Sequence, residues 1–197
     1  MKSTRFNQKK AGWCNRLLRT SILIRYEKTF LQLQPMKDRS VLDIGCGSGR
    51  YLLKCLKLGA AKVTGIDLSE EMLSLTRKTL DSVGNISERV ELVSGDFLKY
   101  EFEEPYDYAI VMGVMDYVEN PKDFLAKLSK IVHQKAVLSF PVAENIWTLQ
   151  RKIRYKIKGC PLYFYQRGQL EQLMECSKFK SYSIERIARD YFVEAEK

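Results

Sequence analysis

Short apolar runs alternate along the chain with longer stretches whose apolar residues recur at helical spacing. The runs are Val41-Leu42-Asp43-Ile44, Lys62 to Ile66, Arg89 to Val93, Tyr106 to Met112 and Lys135 to Phe140. They are brief, rich in β-branched or aromatic residues and punctuated by Gly, Pro or Asp, which predicts buried strands. Residues 15–33 show helical spacing, with Leu17, Leu18, Ile22, Ile24, Phe30 and Leu31 mostly clear of the charges, until Pro35 stops the helix. Tyr51 to Leu58 is a second predicted helix, with Gly59 beyond its end as the C′ residue. Ser69 caps a third to about Leu80; Glu70 and Glu71 lie in its first turn, and Met72, Leu73, Leu75 and Leu80 on its apolar side. Pro121, at N1, opens a fourth to about Ile131. Residues 146–158 and 167–176 read as further helices, and Tyr182 to Ile187 with Tyr191 to Val193 as a closing antiparallel pair. Strands separated by helices predict an α/β fold, a doubly wound and mostly parallel sheet with helices on both faces. Such sheets bind ligands beyond the carboxyl ends of their strands, at the switch point.

Composition narrows the class. Apolar residues make up 45% and charged residues 29% of the 197, which excludes a disordered chain, a collagen-like repeat and a membrane bundle. No stretch approaches the ~20 continuous apolar residues of a spanning helix. Met1 to Lys10 is polar and basic with no apolar run behind it, so no secretory signal is expected and a cytoplasmic address follows. The five cysteines, Cys14, Cys46, Cys55, Cys160 and Cys176, are widely spaced, with no C-x-x-C pair and one histidine, His133. Reduced, mostly buried thiols and no metal site are expected, and His133 falls before the fifth strand, away from the expected site. There is no repeat or linker, so residues 1–197 are read as a single domain. Its parts are an N-terminal helical cap (1–35), a ligand-binding core (36–142), a basic aromatic lid (143–166) and a C-terminal helix and hairpin (167–197).

The net charge of +9 is unevenly spread. Residues 1–39 hold 10 basic and 2 acidic side chains, 40–149 hold 12 and 16, and 150–197 hold 11 and 6. Lys9, Lys10, Arg16, Arg19, Arg25 and Lys28 form one basic cluster; Arg151, Lys152, Arg154, Lys156 and Lys158 form another, interleaved with Tyr155. They suit an anionic partner, whether RNA, phospholipid or a phosphorylated small molecule, as against plain solvated helix faces.

The chemistry concentrates in Asp43-Ile44-Gly45-Cys46-Gly47-Ser48-Gly49-Arg50. Glycines at alternate positions between a strand and a helix let backbone approach a ligand, with helix N–H groups aimed at it. The spacing is G-x-G-x-G; Arg50 stands where the last dinucleotide glycine would be, and no G-K-[ST] ends the loop. A carboxylate at Asp43 would repel a pyrophosphate and suit a cationic group. Asp67, at the end of the next strand, can accept from both hydroxyls of a ribose. Asp96, followed by Phe97, can accept an exocyclic amine beside a ring that covers a base. The ligand so described has a ribose, an amino-bearing base and a cationic end.

This assembly resembles the class I S-adenosylmethionine-dependent methyltransferases. Val41-Leu42-Asp43-Ile44-Gly45-Cys46-Gly47-Ser48-Gly49 looks like their first motif, Gly65-Ile66-Asp67-Leu68-Ser69 their acidic second-strand motif, Gly95-Asp96-Phe97 their adenine motif and Tyr106 to Met112 their fourth strand. The resemblance covers about residues 36–142. It implies S-adenosyl-L-methionine as cofactor, a seven-stranded sheet in the order 3-2-1-4-5-7-6 with one antiparallel strand, and methionine held by Asp43 and the loop at Gly45, Gly47 and Gly49. It also implies ribose on Asp67, adenine against Leu68 with its amine on Asp96 beside Phe97, and a pocket wall from the Met112 backbone.

The loop after the fourth strand, Met112-Gly113-Val114-Met115-Asp116-Tyr117-Val118, is where such folds bring acceptor to methyl. Asp116 and Tyr117 are the candidate catalytic residues, against a plain packing role for the loop. No Asn or Asp followed by Pro-Pro and an aromatic occurs there, which argues against methylation of exocyclic base amines. Trp13, Tyr26, Trp147, Tyr155, Tyr163, Phe164 and Tyr165 in the basic end segments are candidates to enclose the acceptor. A small anionic acceptor is the first expectation. RNA bound through the basic ends, a cofactor-binding protein without transfer activity, and a dehydrogenase, disfavoured by Arg50, are the alternatives.

Overall fold

The computed structural model describes residues 22–81, 84, 87–143 and 162–197. Helix α1 (22–32) leads into strand β1 (Ser40–Ile44), which is followed by α2 (Arg50–Lys57), β2 (Lys62–Asp67), α3 (Glu70–Leu80) and β3 (Val90–Ser94). Then come β4 (Tyr106–Val111), α4 (Pro121–Ile131), β5 (Val132–Pro141), α5 (Arg167–Glu175) and the hairpin β6 (Ser181–Ile187) and β7 (Asp190–Glu196). The sheet has seven strands in the order β3-β2-β1-β4-β5-β7-β6. β7 alone runs against its neighbours, antiparallel to both β5 and β6. Fold class and strand order are those read from the sequence.

Alternation along the strands sorts the core into two layers. Leu42 and Ile44 of β1, Ala109 and Val111 of β4 and Leu138 and Phe140 of β5 pack with Phe124, Leu125 and Leu128 of α4 and Leu170 and Met174 of α5. Val41, Tyr108, Ile110 and Val137 pack on the other face with Phe30 and Leu33 from the α1 end, Leu52 and Cys55 of α2, and Leu73 and Leu80 of α3. The caps fall as expected: the Ser69 hydroxyl accepts from Met72 N at 3.2 Å, and the Asn120 side chain accepts from Asp123 N at 3.3 Å.

Three details differ from expectation. On α3, Met72 and Leu75 are exposed and the buried stripe is Leu73, Thr76 and Leu80, because the helix turns Thr76 toward the glycine loop. On α1, Ile24 and Leu31 are exposed; the helix meets the sheet through Thr29, Phe30 and Leu33, with Arg25 and Tyr26 on the same side. β5 begins at Val132, directly from the end of α4, so His133 lies inside it, exposed near its amino end. The predicted helix 146–158, most of both basic clusters, Trp13, Trp147, Cys14 and Cys160 lie outside the described residues. Among those described, Cys46, Cys55 and Cys176 are free thiols, no cluster of His, Cys, Asp or Glu could hold a metal, and no helix is long and apolar enough to cross a membrane.

Candidate cofactor and active site

The parallel strands end at one edge, where their loops enclose a cleft of about 910 Å³. Gly45 lines it after β1, Asp67 and Leu68 after β2, Asp96 and Phe97 after β3, and Tyr117 after β4. Six of the sequence-derived candidates therefore share one space. Val118 and Glu119 just before α4 and Phe124 in its first turn add to the wall, and of these the sequence had not marked Glu119 or Phe124. Gly47, Gly49 and Asp43 sit behind the loop surface, and the Met112 side chain packs into the core on the α1–α2 side.

The glycine loop curls because its glycines take positive φ: +68° at Gly45, +54° at Gly47 and +74° at Gly49. A Cβ on Gly45 would stand 2.5 Å from Val114 Cγ2, so the loop after β4 crosses it at a distance no side chain allows. The amides, expected to face the ligand, are largely spent inside the protein. Gly45 N and Cys46 N donate to Ile66 O at 2.8 and 3.3 Å, Gly49 N to Cys46 O at 2.9 Å, and Gly47 N to Asp67 Oδ2 at 2.9 Å. A phosphate cradle needs those N–H groups free. This loop offers a ligand room and carbonyl oxygen instead.

Beneath it lies Asp43. Its register, opposite Gly65 on one side and Ile110 on the other, and the alternation of β1 place it on the face covered by α1 and α2. It is 1% exposed, and its Oδ2 has no hydrogen-bond partner. Burial, and then the charge of Asp67, push its carboxyl well above the ordinary carboxylate range. The neighbouring Cys46 thiol is pushed up to about 12, by burial first and Asp43 second, so it is a packing residue and no nucleophile.

Asp67 and Asp96 are held differently. Asp67 Oδ1 accepts from Ser69 N and Oδ2 from Gly47 N, both at 2.9 Å, leaving one lone pair on each oxygen for a ligand. Asp96 Oδ1 accepts from Leu98 N at 2.9 Å. Phe97 is buried against Phe124, ring centroids 4.6 Å apart, while Leu68 is 77% exposed at the cleft edge.

On the β4 side, Tyr117 stands half-exposed in the cleft. Asp116 is buried behind it, its carbonyl accepting from Tyr163 N at 2.8 Å, and Tyr165 Oη donates to Met115 O at 3.1 Å. The stretch 162–166 is thereby bound to the candidate catalytic loop. Burial, with Asp116 adding, pushes the Tyr165 hydroxyl up to about 12.

One residue behind the cleft wall had been read only as part of a charge cluster. Arg25 of α1 donates from Nη1 to Ser139 Oγ at 3.1 Å and pairs with Asp190 at 3.4 Å; its Nε is buried without a partner. Ser139 Oγ also accepts from Gly113 N at 2.9 Å, so the guanidinium stands one hydroxyl away from the cleft wall. The available signal was a cation at helical spacing from Thr29 and Phe30, on the buried side of α1.

A doubly wound sheet with acids near the carboxyl ends of β1, β2 and β3 and a glycine loop poor in free amides forms a cleft whose chemistry suits a nucleoside bearing a cationic group better than a phosphate. The model of a family described as a methyltransferase domain matches residues 41–135. The matched stretch holds the glycine loop and the acids that end β2 and follow β3, so this part of the chain is similar to a methyltransferase domain. A malonyl-[acyl-carrier protein] O-methyltransferase of Halalkalibacterium halodurans is 32% identical over 109 residues, covering 53% of this chain and 39% of that one. A tRNA U34 carboxymethyltransferase of Glaesserella parasuis is 33% identical over 107 residues, covering 53% and 32%. The chain thus spans half or less of the length of the curated relatives it matches. The magnesium protoporphyrin IX methyltransferase of Synechocystis PCC 6803, solved with bound SAH, has the same fold, with a TM-score of 0.75 at 18% identity over 99% of this chain and 95% of that one.

Proposed function

We propose that this chain binds S-adenosylmethionine and transfers its methyl group, in line, to a small anionic acceptor. Asp43 carries the proposal: a buried carboxylate with an orphaned oxygen, beside a loop whose amides are spent, fits an ammonium and a sulfonium. Asp67 keeps lone pairs for the two ribose hydroxyls, Asp96 accepts the adenine amine, and Leu68 and Phe97 supply the apolar surface for the base. Arg25 Nε is the buried donor left for the methionine carboxylate, with Asp43 and the loop carbonyls for its ammonium.

When bound, the cofactor supplies an electrophilic methyl on a sulfonium that leaves as a neutral thioether, so no acid is required. The protein's part is placement: holding a nucleophile ~3 Å from the methyl carbon accounts for most of the rate. Tyr117, on the cleft wall, orients the acceptor; Asp116, buried behind it, ties this loop to Tyr163 through its carbonyl. Charged side chains on the described cleft wall are Asp67, Asp96 and Glu119. An anionic acceptor therefore draws its counter-charge from the basic ends, +8 over residues 1–39 and +5 over 150–197.

Titration calorimetry with S-adenosylhomocysteine and with NAD, followed by transfer of a labelled methyl to a panel of anionic small molecules and to tRNA, tests the proposal. Binding of the first ligand but not the second, with label in a small anion, is expected. Heat with NAD alone overturns it. The basic ends favour RNA as the second reading; label in tRNA, with affinity falling steeply with salt, would establish that one instead.

A further inference from the structure

We infer that Thr76 is a positioning residue for the cofactor: from α3, outside the glycine loop, its hydroxyl holds the backbone of Gly47 and so sets the shape in which the loop meets the nucleoside. The inference rests on the cleft being the S-adenosylmethionine site. Thr76 is fully buried in the stripe Leu73–Thr76–Leu80, where packing alone would be served as well by an apolar residue. Its Oγ1 donates to Gly47 O at 2.6 Å and lies 4.0 Å from Cys46 Sγ. The N–H of the same glycine donates to Asp67 Oδ2 at 2.9 Å. Gly47 is held by both of its backbone groups, one on β2 and one on α3.

A second contact points the same way. A Cβ on Gly49 would stand 2.7 Å from Thr76 Cγ2, so the threonine methyl fills the space beneath the left-handed residue that opens α2. The positive-φ glycines of the loop have no side chains of their own to hold their conformation. Without Thr76 the carbonyl side of Gly47 would be held by nothing on α3, and fixing it when the ligand arrives would subtract from affinity. Thr76 supplies that order beforehand, by giving the Gly47 carbonyl a fixed partner.

The test is a pair of substitutions, Thr76→Val, which keeps the shape and loses the hydroxyl, and Thr76→Ser, which keeps the hydroxyl and loses the methyl. Each is titrated with S-adenosylhomocysteine and melted without ligand. T76V is expected to bind about tenfold more weakly, the scale of one partnered hydrogen bond, and T76S within about threefold of the parent. The two ligand-free melting points should lie close together. If the parent binds and T76V binds equally well, the positioning role is lost while the cleft assignment stands. Equal losses of affinity in T76V and T76S, tracking equal losses of stability, reduce Thr76 to packing. A parent that takes up no S-adenosylhomocysteine overturns the cleft assignment and the role with it.

Discussion

Two aspartates stand on the neighbouring central strands β1 and β4, at opposite ends of the sheet. Asp107, at the amino end of β4, accepts from Ser40 N at 2.9 Å, Ser40 Oγ at 3.2 Å and Gln134 Nε2 at 2.6 Å, and pairs with Arg39 at 3.4 Å. Asp43, at the carboxyl end of β1, is more deeply buried and has an oxygen with no partner at all. A carboxylate that only ties strands together is saturated, because an unpaired buried acceptor costs stability. One left unsaturated marks where the fold has traded stability for a ligand. The same contrast separates the two ends of the sheet: closed polar networks at one, and at the other a cleft of carboxylates held ready.

The contrast can be broken or sharpened experimentally. Asp67→Ala should have the largest effect, since it removes the ribose acceptor and the anchor of Gly47 together. Losing two hydrogen bonds to a charged group predicts S-adenosylhomocysteine affinity about 100-fold lower by calorimetry, and unchanged binding would end the ribose assignment. Asp43→Asn should lower affinity by roughly 10- to 100-fold, one charge-assisted interaction or somewhat more. In the ligand-free protein its effect should reverse. A carboxyl pushed upward by burial costs stability as pH rises from its unfolded value, about 4, through its raised folded value, so the parent loses stability over that window. Asp43→Asn lacks this cost; it should melt above the parent at neutral pH and level with it in acid. A variant that melts below the parent at pH 7 would mean that Asp43 serves the fold, like Asp107.

Asp107→Ala is the converse, expected to lower the unfolding free energy by about 2 kcal/mol in urea titration while the dissociation constant stays within about twofold. A large loss of binding there would erase the difference between the two ends. Smallest should be Leu68→Ala, which touches an exposed side chain: about threefold weaker binding from the lost apolar contact, with no change in melting point.

Much of this was legible beforehand for local reasons. Strand β1, Ser69 at its cap, Pro121 at N1 and Gly59 beyond α2 are short-range signals, and each falls where it was placed. The glycine loop and the acids Asp67 and Asp96 were marked by residue type and spacing, and Gly45, Asp67 and Asp96 share one cleft. Thr76 and Arg25 were not found. A threonine within an apolar stripe and an arginine within a basic cluster have ordinary explanations until the helices that carry them are docked. Met72 and Leu75 erred the other way, since helical spacing names an apolar side but not which part of it meets the sheet.

The sequence by itself determined the α/β class, the order of its elements and the residue types that end its strands, because period, capping and turn chemistry act over a few residues. The tertiary structure alone decided which amides are spent, which carboxylate is orphaned and which distant side chains brace the loop. Gly47 meets Asp67 and Thr76, 20 and 29 residues further along, and Arg25 meets Ser139, 114 residues away. Such meetings depend on how the layers pack, and packing is set by the whole core at once.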